Sequence, residues 1–107
     1  MIITSSSSVA GRKIVKTFGM VTGNTVRARH VGKDILAVFK NIIGGEIEEY
    51  TKLLAESREQ SIDRMKARAV EMGANAIVDV RFGTSYVMGS AAEILAYGTA
   101  VLLEQAQ

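Results

Sequence analysis

The sequence predicts an α+β fold in which one long helix lies across a sheet, and three observations predict it. Residues 46–72 run 27 positions without Gly or Pro and are rich in strong helix formers. Residues 14–29, 76–82 and 93–103 read instead as extended segments, rich in β-branched residues and bounded by turn formers. With 107 residues there is room for a single domain and one core, spanning residues 1–107.

Residues 2–4 suit a short first strand, and Ser5 to Ser8 form a polar link. The segment 14–29 is interrupted by Thr22-Gly23-Asn24, so it is either a hairpin or a strand carrying a bulge. Gly19 in its middle points to a kink or a close backbone approach. Asp34 can cap a short helix over 35–43, whose Ile35, Leu36, Phe39, Ile42 and Ile43 fall on one face. Gly44-Gly45 ends that helix and lets the chain turn into the long one.

The long helix would extend about 40 Å at 1.5 Å per residue. A compact chain of this length has a radius of gyration of about 13 Å, so the helix spans the whole sheet or passes its edge. Its stripe of apolar or small residues is Ile47, Tyr50, Leu54, Ser57, Ser61, Ile62, Met65, Ala69 and Met72. The other face is charged, with acids in the first turn and Arg64, Lys66 and Arg68 towards the end, matching the macrodipole. Gly73 is placed to end it in a left-handed conformation.

In the strand over 76–82, alternation puts Ala76, Val78, Val80 and Phe82 on one face and Ile77, Asp79 and Arg81 on the other. If 76–82 and 93–103 pair as a hairpin with its tip at 86–91, partner numbers sum to about 177. Asp79 then lies near Gly98, and Arg81 lies opposite Ala96 with Glu93 within reach across the turn. The last strand is apolar on both faces. Ala96, Gly98 and Ala100 admit the helix closely, and Gly98→Val should push it away. Leu95, Tyr97, Val101 and Leu103 line the reverse face. One helical layer covers one face, so the other is expected to be covered by a second copy of the chain.

Composition narrows function. No run of 18 apolar residues crosses a membrane, and the first residues lack the basic and apolar regions of a secretory signal; a cytoplasmic protein is expected. There is no Cys, which excludes disulfides and thiolate chemistry. The net charge of +2 is too small to argue for nucleic acid, and few aromatics lie among the bases. Seven bases and one acid do fall between residues 12 and 40, a distribution suited to an anionic ligand or to a neighbouring subunit.

The blocks IVKTFGMVTGN (14–24), KDILAVFKNIIGG (33–45), GANAIVDV (73–80) and GTAV (98–101) occur in order along nearly the whole chain. In these the sequence resembles the YbjQ-type family of small bacterial and archaeal proteins, which carries a heavy-metal-binding label. The resemblance implies a two-layer subunit similar in shape to the dodecin subunit, with an antiparallel sheet backed by the long helix. It also implies a ring assembly, with a pentamer favoured, and it supplies no catalytic residues.

The residues themselves offer few metal ligands. His30 is the single His, and the thioethers of Met20, Met65, Met72 and Met88 stand in or near apolar runs, where methionine serves as core filler. The candidates for a metal ion are His30, Asp79 and Glu93, repeated by symmetry around a ring. No nucleophile has an activating partner in sequence, so a non-enzymatic oligomeric module is expected. The alternative is a small enzyme with an interfacial site built from Asp79, Arg81 and Glu93. Asp79 and Arg81, two apart, are expected to form an ion pair within or between subunits.

Overall fold

A computed structural model describes residues 1–27, 47–87 and 91–105. Four strands and one helix follow in chain order: β1 (Ile2–Ile3), β2 (Ile14–Arg27), α1 (Ile47–Met72), β3 (Ala76–Val87) and β4 (Ala91–Leu103). The sheet order is β1-β3-β4-β2. The three long strands are antiparallel, as the hairpin reading requires, while β1 joins β3 in parallel and makes the sheet mixed. The expected helix over 35–43, with Gly44-Gly45, His30 and Met88, lies outside the described residues.

The described helix, Ile47–Met72, fills the expected span from its first described residue and ends where Gly73 predicts. Gly73 has φ +95°. Its N–H bonds to the Val70 carbonyl at 3.0 Å, and the Ala74 N–H bonds to the Ala69 carbonyl at 3.0 Å, the paired closure of a Schellman motif. Ala69 and Ala74 are both buried, supplying the apolar contact that accompanies this cap.

Of the predicted stripe, Ser57, Ser61, Met65 and Ala69 are buried and Leu54 and Ile62 half-buried, whereas Met72 is exposed. The core under the helix comprises Met65, Ala69, Val21, Ile77, Val80, Ala96 and Ala100. Two serines in the stripe are tolerated because each is hydrogen-bonded. The Ser61 hydroxyl lies 2.9 Å from the Ile94 carbonyl and 3.0 Å from both the Thr25 Oγ1 and the Ser57 carbonyl. A hydroxyl so placed is satisfied without water, and its small volume lets helix and sheet approach.

That approach is closest at Gly23, not at Gly98. A Cβ on Gly23 would collide with the helix backbone at Ser61 and Met65. A Cβ on Gly98 would instead meet Ile77 Cγ2 at 2.8 Å and Val80 Cγ2 at 3.1 Å, side chains of the neighbouring strand. Helix crowding as the consequence of Gly98→Val is thereby corrected. The small-residue gap is filled from β3, and the helix lies over β2.

β2 is one continuous strand. Its irregularities fall between Ile14 and Lys16 and between Thr17 and Gly19, not at Thr22-Gly23-Asn24. Gly19, with φ +115°, sits in the second of these.

β3 departs from simple alternation. Ala76, Ile77 and Val78 pair with Val101, Ala100 and Thr99, in the expected sum of 177, but from Arg81 onward the sum is 178. The extra residue is absorbed around Asp79, which has φ +55°. This bulge reverses the faces: Val80 joins Ile77 in the core under the helix, while Ala76 and Val78 belong to a second cluster. Strict alternation therefore holds only as far as Val78.

The second cluster lies on the reverse face. It contains Ala76, Val78, Val101 and Leu103, each no more than 2 % exposed, packed with Ile2, Val9 and Ile14. Among the described residues, the segment that returns from β1 to β2 covers this end of the face.

Candidate functional site

The three residues proposed for an interfacial site occupy two separate places. Asp79 and Arg81 both hold the serine segment that follows β1. The Ser7 hydroxyl donates to Asp79 Oδ1 at 2.9 Å, and the Asp79 N–H donates to the Ser6 carbonyl at 2.9 Å. Arg81 Nη1 donates to the Ser5 carbonyl at 2.8 Å and to the Val80 carbonyl at 2.9 Å. The Val80 N–H donates to the Thr4 carbonyl, and Thr4 Oγ1 lies 2.8 Å from Ser6 Oγ. Within the chain, the expected Asp79–Arg81 ion pair is replaced by two clasps on one strap. The cause is the bulge, which turns Asp79 into a left-handed conformation that Asp tolerates better than most side chains.

Glu93 lies elsewhere. It pairs with Ser85 on β3, whereas Arg81 pairs with Tyr97, four residues further along β4 and about 13 Å away at 3.3 Å per residue. The Glu93 carboxylate accepts from Asn24 Nδ2 at 3.3 Å and from the Ser85 hydroxyl at 3.4 Å. Each oxygen has a neutral donor, and the three strands contribute one polar side chain apiece. The position of Arg81 opposite Ala96 is corrected by the shift in register, and its expected contact with Glu93 by their separation along β4.

Four further bases are also committed. Arg64 Nη1 donates to the Asn24 carbonyl at 2.6 Å, and Arg68 Nη1 donates to the Thr22 carbonyl at 2.8 Å and to Thr22 Oγ1 at 3.1 Å. Helical spacing of four matches strand spacing of two, so the pair reaches around the free edge of β2 and covers its outward carbonyls. Arg12 Nε donates to the Glu104 carbonyl at 2.9 Å, and Lys16 Nζ stands 4.9 Å from the centre of the Phe18 ring. Sequence spacing alone showed Arg64 and Arg68 as helix-terminal charge; their partners are visible only in the packed arrangement.

Among the described residues, no three His, Asp or Glu side chains come together to hold a metal ion. Met65 is fully buried, while Met20 is 75 % exposed. One chain's described residues therefore do not fit a soft heavy-metal ion, which calls for several thiolate, imidazole or thioether ligands at one point. His30 lies outside the described residues.

The uncovered part of the reverse face runs along the middle of β4. Tyr97, flanked on this face by Thr22 and Arg81, is 36 % exposed; Leu95, between Asn24 and Gly83, is half-buried. Met20, opposite Thr99, extends the patch.

Comparison with other proteins identifies the family. A family model described as "Putative heavy-metal-binding" covers residues 1–104. The chain belongs to the YbjQ family. A UPF0145 protein of Dehalococcoides mccartyi is 60% identical over 104 residues, covering 97% of this chain and 100% of that one. A YbjQ-family relative from the archaeon Archaeoglobus fulgidus, also named UPF0145, is 56% identical over 103 residues, with 96% and 95% covered. These names indicate no enzymatic activity. A crystal structure of a DUF74-family protein of unknown function from Pediococcus pentosaceus superposes with a TM-score of 0.58 at 18% identity, covering 97% of this chain and 98% of that one. That likeness concerns the fold alone. Among the described residues, no helix of this YbjQ-family chain is long and apolar enough to cross a membrane.

Proposed function

We propose that the protein is a non-enzymatic, cytoplasmic homo-oligomeric module that uses the uncovered half of its sheet as the subunit interface and holds a small ligand or metal ion between copies. The observation that carries this reading is the patch of Tyr97, Leu95 and Met20, an apolar strip on a face whose other half is already sealed by Val9 and Ile14. Continuing that seal with a second copy removes the remaining hydrocarbon from water. Five copies are favoured, the number implied by the family resemblance. A metal ion fits this reading only with ligands drawn from several copies, since one chain's described residues do not supply them. The non-enzymatic reading is supported by the separation of these groups within one chain, where Asp79 and Arg81 hold the serine segment while Glu93 is held by Asn24 and Ser85.

Sedimentation velocity and native mass spectrometry test the assembly. The wild type should run as an oligomer at micromolar concentration, and Tyr97→Glu should give folded monomers. A wild-type monomer at that concentration defeats the proposal. Elemental analysis of untagged protein, followed by zinc and copper titration, tests the metal: binding no tighter than millimolar removes that part and leaves the assembly standing.

A further inference from the structure

A second surface lies on the opposite side of the sheet, where α1 and the β3–β4 hairpin diverge. Leu54 and Arg58, one turn apart on the helix, face Phe82 and Thr84 on β3 and Ile94 on β4 across a groove of about 230 Å³. Thr84 and Ile94 are register partners, so the floor is continuous. Phe82 is turned towards the helix by the Asp79 bulge yet remains 46 % exposed, while Ile94 beside it is buried. Leu54, Phe82 and Ile94 supply hydrocarbon, Thr84 a hydroxyl and Arg58 a guanidinium.

Arg58 differs from the other helix arginines named above. Arg64 and Arg68 are spent on β2 carbonyls, whereas the Arg58 guanidinium has neither a hydrogen bond nor an ion pair to another residue among those described. An apolar cleft with one uncommitted cation at its rim is complementary to an organic monoanion with a hydrocarbon body. A guanidinium binds a carboxylate through two parallel hydrogen bonds, and the Thr84 hydroxyl can donate a third. The volume is below the roughly 300–1,000 Å³ of drug-sized sites, so a cofactor does not fit and a short chain does. A phosphate ester of higher charge would need further bases, and among the described residues the groove lining has one, Arg58.

We propose that this groove binds a small amphiphilic carboxylate, its alkyl chain along Leu54, Phe82 and Ile94 and its head group on Arg58. The site is formed within one chain, on the helix-bearing side, and so stands independently of the proposed sheet-face interface.

Sodium octanoate is the probe, titrated below its micellar concentration into the full chain, with the methyl resonances of Leu54 and Ile94 followed by NMR and the heat by calorimetry. Saturable shifts at those methyls are expected. Arg58→Gln should weaken octanoate at least fivefold while leaving the weaker binding of neutral 1-octanol unchanged. Equal octanoate affinity in Arg58→Gln, or shifts that bypass Leu54 and Ile94, would overturn the proposal. Tyr97→Glu should keep the octanoate response; its loss there would overturn a site formed within one chain, whatever the fate of the assembly.

Discussion

Gly23 and Asp79 are two positions where the backbone itself constrains the choice of residue. Gly23 has no room for a methyl group, because Ser61 and the backbone of Met65 (Cα at 2.9 Å from an added Cβ) occupy that space. Gly23→Ala should therefore destabilise by about 1–3 kcal/mol through overpacking, measured by urea denaturation. An unchanged midpoint would mean that the helix lies further from β2 than described. At Asp79 the demand is conformational. A β-branched residue at φ +55° is disfavoured by roughly 1–2 kcal/mol, and Asp79→Val also loses the Ser7 bond. Asp79→Gly loses the same bond but relieves the backbone, so it should be closer to wild type than Val is. If the two variants melt together, the side-chain clasp matters and the left-handed backbone does not. Ordinary strand alternation through Asp79 is the natural reading of AIVDVRF, because nothing local marks which residue will be the bulge. The extra residue is needed only once β4 and β1 are both in place beside β3.

The helix and β2 illustrate what packing adds to an element. The start, end and buried stripe of α1 follow from its own residues: no Gly or Pro inside, Gly73 after it, and small or apolar side chains every three or four positions. Arg64 and Arg68 look like ordinary macrodipole charges until β2 lies beneath them. Their donation to the Asn24 and Thr22 carbonyls serves the sheet edge as much as the helix. The double variant Arg64→Ala/Arg68→Ala should lose about 1–2 kcal/mol in urea, taking each solvent-facing arginine at roughly 0.5–1 kcal/mol. It should also turn turbid sooner on heating, since the bared edge can pair with other chains. Wild-type stability and clarity in that variant would show the two contacts to be incidental. The serine segment belongs here too. Four exposed serines read as a linker, yet their backbone carbonyls and hydroxyls are what Asp79 and Arg81 grip, and this grip delivers Val9 to the reverse face.

The whole molecule is long for its size, with extents of 54 × 26 × 17 Å and a radius of gyration of 17.0 Å against the roughly 13 Å of a compact chain of this length. A 26-residue helix laid along strands of 12 to 14 residues produces that shape. The Tyr97→Glu monomer should scatter X-rays with a radius close to 17.0 Å, and a value near 13 Å would contradict the laid-out arrangement. The two-faced apolar character of residues 93–103 was legible at once, and so was the need to cover both sides. The division of that cover was not. Part comes from the chain's own N-terminal segment, and Tyr97, Leu95 and Met20 are the part of that face the proposed second copy would cover.

Local patterns alone were enough for the helix and its cap, the extended segments, and a hairpin register correct as far as Val78, because periodicity and conformational preference act over a few neighbouring residues. The bulge at Asp79, the closest approach at Gly23, the arginines on the β2 edge and the scattering of Asp79, Arg81 and Glu93 required the folded arrangement. Each depends on atoms dozens of residues apart competing for the same space or the same hydrogen bond, and no short stretch of chain records how that competition ends.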